Sequence, residues 1–149
     1  MQPSIGERRA LLQEIYLQDL TSGIYGVYTE ALRDPGGRRL LEGYLRAELE
    51  RRRRIEEHLG RAGFSGAPGP GRLLRAAGRL YGRLTSLLGT RVMLRIVLSA
   101  SRRASRRACA RLGPEDRPDL VYLAMLRARS EGDLRDALQQ HLIDTRRRR

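Results

Sequence analysis

Apolar residues recur at three- and four-residue intervals along most of this chain, and no stretch alternates in the manner of a strand. The pattern predicts four helical segments and therefore an all-α fold. The first runs from about Glu7 to Leu32, with Leu17, Thr21, Ile24, Tyr28 and Ala31 on one stripe. Asp34-Pro35-Gly36-Gly37 ends it, because proline and paired glycines do not continue a helix. The second runs from about Arg38 to Gly60, with Leu41, Leu45, Glu48, Arg52, Ile55 and Leu59 in line and Arg51 beside them. Gly60 suits its C-terminal cap. Residues 62–71, rich in glycine and proline, form the one long linker, a length suited to a crossover between distant corners of a bundle. The third segment, Arg72 to Leu112, carries Gly78, Gly82 and Gly89, and is expected to bend or split near Gly89. Gly113 to Pro118 reads as a turn, with Pro118 near the first turn of the fourth helix. That helix continues to about Leu142 with Leu120, Ala124, Glu131, Leu134 and Leu138 on one face, and a basic tail occupies 143–149.

Charge changes this picture. All 30 basic residues are arginine, against 17 acids, for a net charge of +13 in 149 residues. Lysine, asparagine and tryptophan are absent, the bias of a GC-rich genome. Such a bias accounts for arginine in place of lysine but not for the excess of positive charge. Arginine's planar fork grips phosphates and carboxylates bidentately and does not titrate near neutrality, so an anionic partner is expected. Six tyrosines and one phenylalanine are too few for the stacking platforms of single-strand readers. Cys109 is the sole cysteine, which excludes an intramolecular disulfide and fits a reducing cytosol. Length and an apolar content of 40% fit one domain over 1–149 with a single core. Met1 to Arg9 is no signal peptide, and Arg91 and Arg95 interrupt the least charged stretch, Leu84 to Ser101. These features predict a cytoplasmic protein, peripheral at most on the inner face of a membrane.

Each predicted stripe contains a polar residue where a large apolar one is expected: Thr21, Glu48 with Arg51, Ser101, and Glu131. An inward carboxylate is costly unless it is paired or ligates a metal. Glu48 and Arg51 are three apart, as are Glu131 and Leu134, which is the interval that places two ligands on one helical face. The run Thr21 to Tyr28 with Glu30 to Pro35, the run Glu48 to Leu59, the stretch Leu87 to Ser101 and the run Arg129 to Leu138 resemble, in order, the four helices of ferritin-like di-iron proteins. The resemblance is to the rubrerythrin and demethoxyubiquinone hydroxylase branch, and it covers most of the chain as pattern rather than identity. It implies a ferritin-like four-helix bundle with a long crossover between the second and third helices.

The resemblance also implies a degenerate metal site. The family's first glutamate falls on Thr21, its third-helix glutamate on Ser101 or Arg102, and its two histidines on Arg51 and Leu134. Only Glu48 and Glu131 match, and no glutamate of the chain has a histidine three residues on. The expectation is a non-catalytic relative with no metal and no cofactor, in which Arg51 takes the metal's place between Glu48 and Glu131. A residual hydroxylase-type oxidoreductase, with a partner chain supplying ligands, is the alternative.

Arg72, Arg75, Arg79 and Arg83 lie opposite Leu73, Leu74, Ala77, Leu80, Tyr81 and Leu84, an amphipathic helix suited to a membrane interface or a bundle edge. In the hydroxylase branch the corresponding region is implicated in meeting the membrane. Arg102, Arg103, Arg106, Arg107 and Arg111 extend the basic face, and Arg51, Arg52, Arg53 and Arg54 form a further cluster. The partners expected are an anionic membrane surface or nucleic acid, the latter bound through phosphates without sequence reading. An acidic protein docked by a structural or adaptor subunit, and a homodimer, are the other partners considered. Helix-turn-helix, zinc-finger, basic-zipper and phosphate-loop signatures are absent.

Overall fold

The computed structural model describes residues 5–61, 63, 69–110 and 118–147, with the backbone alone at 5, 7, 105–110 and 118–127. The regular structure among them is entirely helical, in five helices: α1 Ile5–Ala31, α2 Pro35–Arg61, α3 Gly71–Ser86, α4 Thr90–Ala110 and α5 Pro118–Arg147. The all-α expectation holds. The third predicted segment splits at Gly89, whose φ of +93° lies in the left-handed region that breaks a helix at little cost only for glycine. Most of the predicted linker and the predicted turn at 113–117 lie outside the described residues.

The start of α2 corrects the sequence reading. Pro35, Gly36 and Gly37 do not separate the first two helices; they are the first turn of the second. Asp34 caps that turn, its Oδ2 accepting the Gly37 amide at 3.0 Å, and Pro35 occupies the position where a missing N–H costs nothing. The ring of His141, on α5, covers Gly36 and also contacts Asp34 Oδ2, so the turn is tied to the far end of the chain.

The main core is shared by α1, α2, α4 and α5. Tyr25, Tyr28 and Leu32 meet Leu41, Tyr44, Met93, Leu94, Val97, Leu134 and Leu138, all at most 6% exposed. A second cluster, Leu11 and Ile15 against Ile55 and Leu59, closes the other end of the α1–α2 pair. The stripes differ in detail from the expected ones. On α2 the inward positions are Tyr44 and Arg51, with Leu45 and Arg52 only partly covered. On α1 burial extends around the helix, because α3 covers a face that the bundle does not.

α3 packs in an unusual way. Its buried residues are Gly78 and Gly82, not its leucines. A side chain on Gly78 would run into the Leu20 carbonyl, and one on Gly23 of α1 would run into that of Arg75. The absence of three Cβ atoms lets the two backbones touch, the close approach that small residues four apart permit. The apolar stripe therefore points away from the bundle: Leu73 is 74% exposed, Leu80 61% and Leu84 59%.

Candidate functional site

Two places in this fold carry unusual chemistry: a buried polar layer between the apolar clusters, and the outer face of α3.

The polar layer is built by α1 and α2, which bring Glu14 and Gln18 against Glu48 and Arg51. Arg51 Nη2 donates to Glu48 Oε2 at 2.6 Å and Nη1 to Glu14 Oε2 at 3.4 Å; Gln18 Nε2 donates to Glu48 Oε2 at 3.3 Å. Arg51, Glu48 and Gln18 are all at least nine-tenths buried. Arg51 thus fills the seam by pairing with carboxylates, but its second partner is Glu14 rather than Glu131. Glu131 is reached from the other side, where the Tyr44 hydroxyl donates to its Oε1 at 2.5 Å. Tyr25 packs on Tyr44 with ring centroids 5.7 Å apart. Burial raises the Tyr25 phenol far above its usual range and the nearby Glu131 carboxylate adds to this, while the Ser101 hydroxyl opposes it. Tyr44 is raised for the same leading reason, with Glu48 and Glu131 adding their charge. Both phenols stay protonated across the physiological range, and Tyr44 serves as the donor to Glu131.

Of the six expected metal-site positions, Glu48, Arg51, Ser101, Glu131 and Leu134 are buried, and Thr21 is only partly so. The donor set does not fit a di-iron centre. Glu48 is engaged by a guanidinium, Glu131 by a phenol, and Leu134 offers no donor atom. Among the described residues no group of three or more His, Cys, Asp and Glu side chains is placed to hold a metal ion. Gln18, Tyr25 and Tyr44 were not legible in the stripes, because each sits one position off the assumed line, and Glu14 lies one turn before the stripe of the first helix begins.

A third buried carboxylate positions α3. Asp19 is 2% exposed and receives Arg52 of α2 at 2.5 Å and Arg75 of α3 at 2.7 Å. Burial alone would raise its pKa, but the hydrogen bonds and charges of Arg52 and Arg75 outweigh that and hold it below the ordinary carboxylate value. Gly71 lies directly against Asp19 Oδ2, which sets negative charge beside the N-terminus of α3, where the helix dipole favours it.

The arginines expected to bind anions fall into distinct groups. Arg51 is buried and is not available to an external anion. Arg52 is held by Asp19 and Glu56, Arg53 by Glu57 at 3.0 Å and Arg54 by Glu50 at 3.3 Å, so the dense cluster on α2 is largely neutralised within its own helix. Arg75 is engaged by Asp19. Arg72, Arg79 and Arg83, all exposed, form no ion pair among the described residues and flank the leucine stripe on one side. Arg102 and Arg103 are exposed on α4; the side chains of Arg106 and Arg107 lie outside the described residues. No helix among the described residues is long and apolar enough to cross a membrane.

Compared with protein-family models, curated proteins and solved structures, the chain matches none of them.

Proposed function

We propose that this protein is a non-catalytic, ferritin-like helical bundle that binds an anionic membrane surface through α3 and its arginines. The bundle reading rests on the core shared by α1, α2, α4 and α5, with α3 attached outside it, and on the resemblance of the helical patterns. The absence of catalysis rests on the donor set, in which a guanidinium and two phenols stand around Glu48 and Glu131.

The observation that carries the binding reading is the outward leucine stripe of α3. Leucine at 60–75% exposure is costly on a helix that serves only the fold. Here it lies beside Arg72, Arg79 and Arg83, whose charges are not spent on neighbouring carboxylates. A bilayer with anionic headgroups satisfies both faces at once, acyl chains taking the leucines and phosphates the guanidiniums. A nucleic acid would use the arginines and leave the leucines in water.

Vesicle co-sedimentation tests this. Binding to phosphatidylglycerol-containing vesicles should persist in part at high salt, and should fall in Leu73→Glu and Leu80→Glu variants. Because both leucines point to solvent, these variants should keep the wild-type helical circular dichroism. Nucleic-acid binding, if it occurs at all, should vanish with salt and ignore these substitutions. Folded variants with unchanged vesicle binding would defeat the proposal.

A further inference from the structure

The apolar surface of α3 does not end with the helix. Leu87 is 83% exposed and Leu88 65%, two adjacent leucines on the corner where Gly89 turns the chain into α4. From Leu84 to Thr90 there is no charged residue, whereas the preceding turns of α3 carry Arg72, Arg75, Arg79 and Arg83. The corner is thus a short uncharged stretch bordered by Arg83 and by the exposed Arg91 of α4.

Several polar groups of this corner are also paired within the protein. The Thr85 hydroxyl lies 2.8 Å from the Tyr81 carbonyl and 2.7 Å from the Tyr28 hydroxyl, and the Ser86 hydroxyl donates to the Arg83 carbonyl at 2.8 Å. The Leu88 and Gly89 amides donate to the Thr85 and Ser86 carbonyls at 3.1 Å each. The Gly89 carbonyl accepts the Val92 and Met93 amides at 3.1 and 3.2 Å. Each such internal pair lowers the cost of bringing the corner into hydrocarbon, where water is not there to replace a partner.

We propose that the Leu87–Leu88 corner is the insertion tip of the protein, entering the acyl region of an anionic phospholipid bilayer more deeply than the rest of α3. The helix then lies tilted, its arginines among the headgroup phosphates, Arg83 and Arg91 at the rim of the corner, and the two leucines lower. Contact between Thr85 and Tyr28, together with the glycine face against α1, keeps the tip attached to the bundle rather than free to swing. This inference rests on the membrane reading above and adds a site and a depth to it.

The chain has no tryptophan, so a single introduced indole reports its own depth. Leu73→Trp, Leu80→Trp and Leu88→Trp variants would each be bound to phosphatidylglycerol/phosphatidylcholine vesicles carrying bromine at known acyl positions. The expected result is a blue shift and strongest quenching by deep bromines for Leu88→Trp, with Leu73→Trp quenched nearer the headgroups. A Leu87→Ser/Leu88→Ser variant should weaken vesicle binding at high salt by at least about tenfold, since two leucines are kept from the bilayer. Its circular dichroism should match the wild type. Equal or shallower depth for the indole at 88, or undiminished binding of the double variant while Leu80→Glu abolishes it, would overturn the tip and leave the helix-face reading standing. Failure of the wild type to bind vesicles at all would remove both.

Discussion

At the scale of single residues, the two buried carboxylate sites differ in what they hold. Arg51 sits between Glu48 and Glu14 inside the bundle, so Arg51→Ala leaves a buried carboxylate without its cation. That loss should cost about 3–5 kcal/mol, measured by chemical denaturation. Arg146→Ala, on the exposed end of α5, should leave the midpoint where it was. Equal midpoints for the two variants would contradict the buried pair. Asp19 gives a pH signature instead. Its folded pKa lies below the unfolded value, so it contributes stability that is fully present above the unfolded carboxylate pKa. That contribution is lost as pH falls through the folded value. Asp19→Asn should therefore destabilise the protein at neutral pH and flatten the acid limb of its stability profile.

At the scale of elements, the seat of α3 depends on absent side chains. Gly78→Ala would force a methyl into the Leu20 carbonyl of α1, whereas Gly43 on α2 has open space around it. Alanine improves helix propensity at both positions by about 1 kcal/mol. The two substitutions should nevertheless act in opposite directions. Gly43→Ala should raise stability by about 0.5–1 kcal/mol, and Gly78→Ala should lower it by about 1–3 kcal/mol as overpacking outweighs propensity. Thermal melts of the pair decide this; stabilisation by Gly78→Ala would mean that α3 is not seated on α1 as described. Gly82→Ala should be milder, since its nearest obstacles are the Ile24 carbonyl and Val27 Cβ at 3.1 Å.

At the scale of the whole molecule, the net charge of +13 is unevenly usable. Arg52, Arg53 and Arg54 of α2 are occupied by Glu56, Glu57 and Glu50 on the same helix, while Arg72, Arg79 and Arg83 keep their charge beside the leucines. Substituting these three by serine should weaken vesicle binding at low salt by roughly five-fold each, with little effect at high salt where the leucines dominate. Substituting Arg53 and Arg54 should change binding little. The converse ranking, measured by co-sedimentation across a salt series, would show that total charge and not the α3 face governs binding.

Helix content, the break at Gly89 and the amphipathic character of α3 were all determined by the sequence itself, because periodicity, glycine and proline act locally. The inward placement of Glu48, Arg51, Ser101 and Glu131 was legible for the same reason. Only the tertiary structure decided which carboxylate Arg51 meets, since Glu14 and Glu131 are both compatible with its position on α2 and distance in space chooses between them. The first turn of α2 was misread because Pro35 and two glycines signal a break, yet the Asp34 cap makes them a helix start. The direction of the leucines was likewise beyond the sequence. An amphipathic helix ordinarily buries its leucines, and α3 does not, because Gly23, Gly78 and Gly82 allow a backbone-to-backbone contact that no large residue could match. That contact between helices far apart in the chain turned the apolar stripe outward, where a bilayer can reach it.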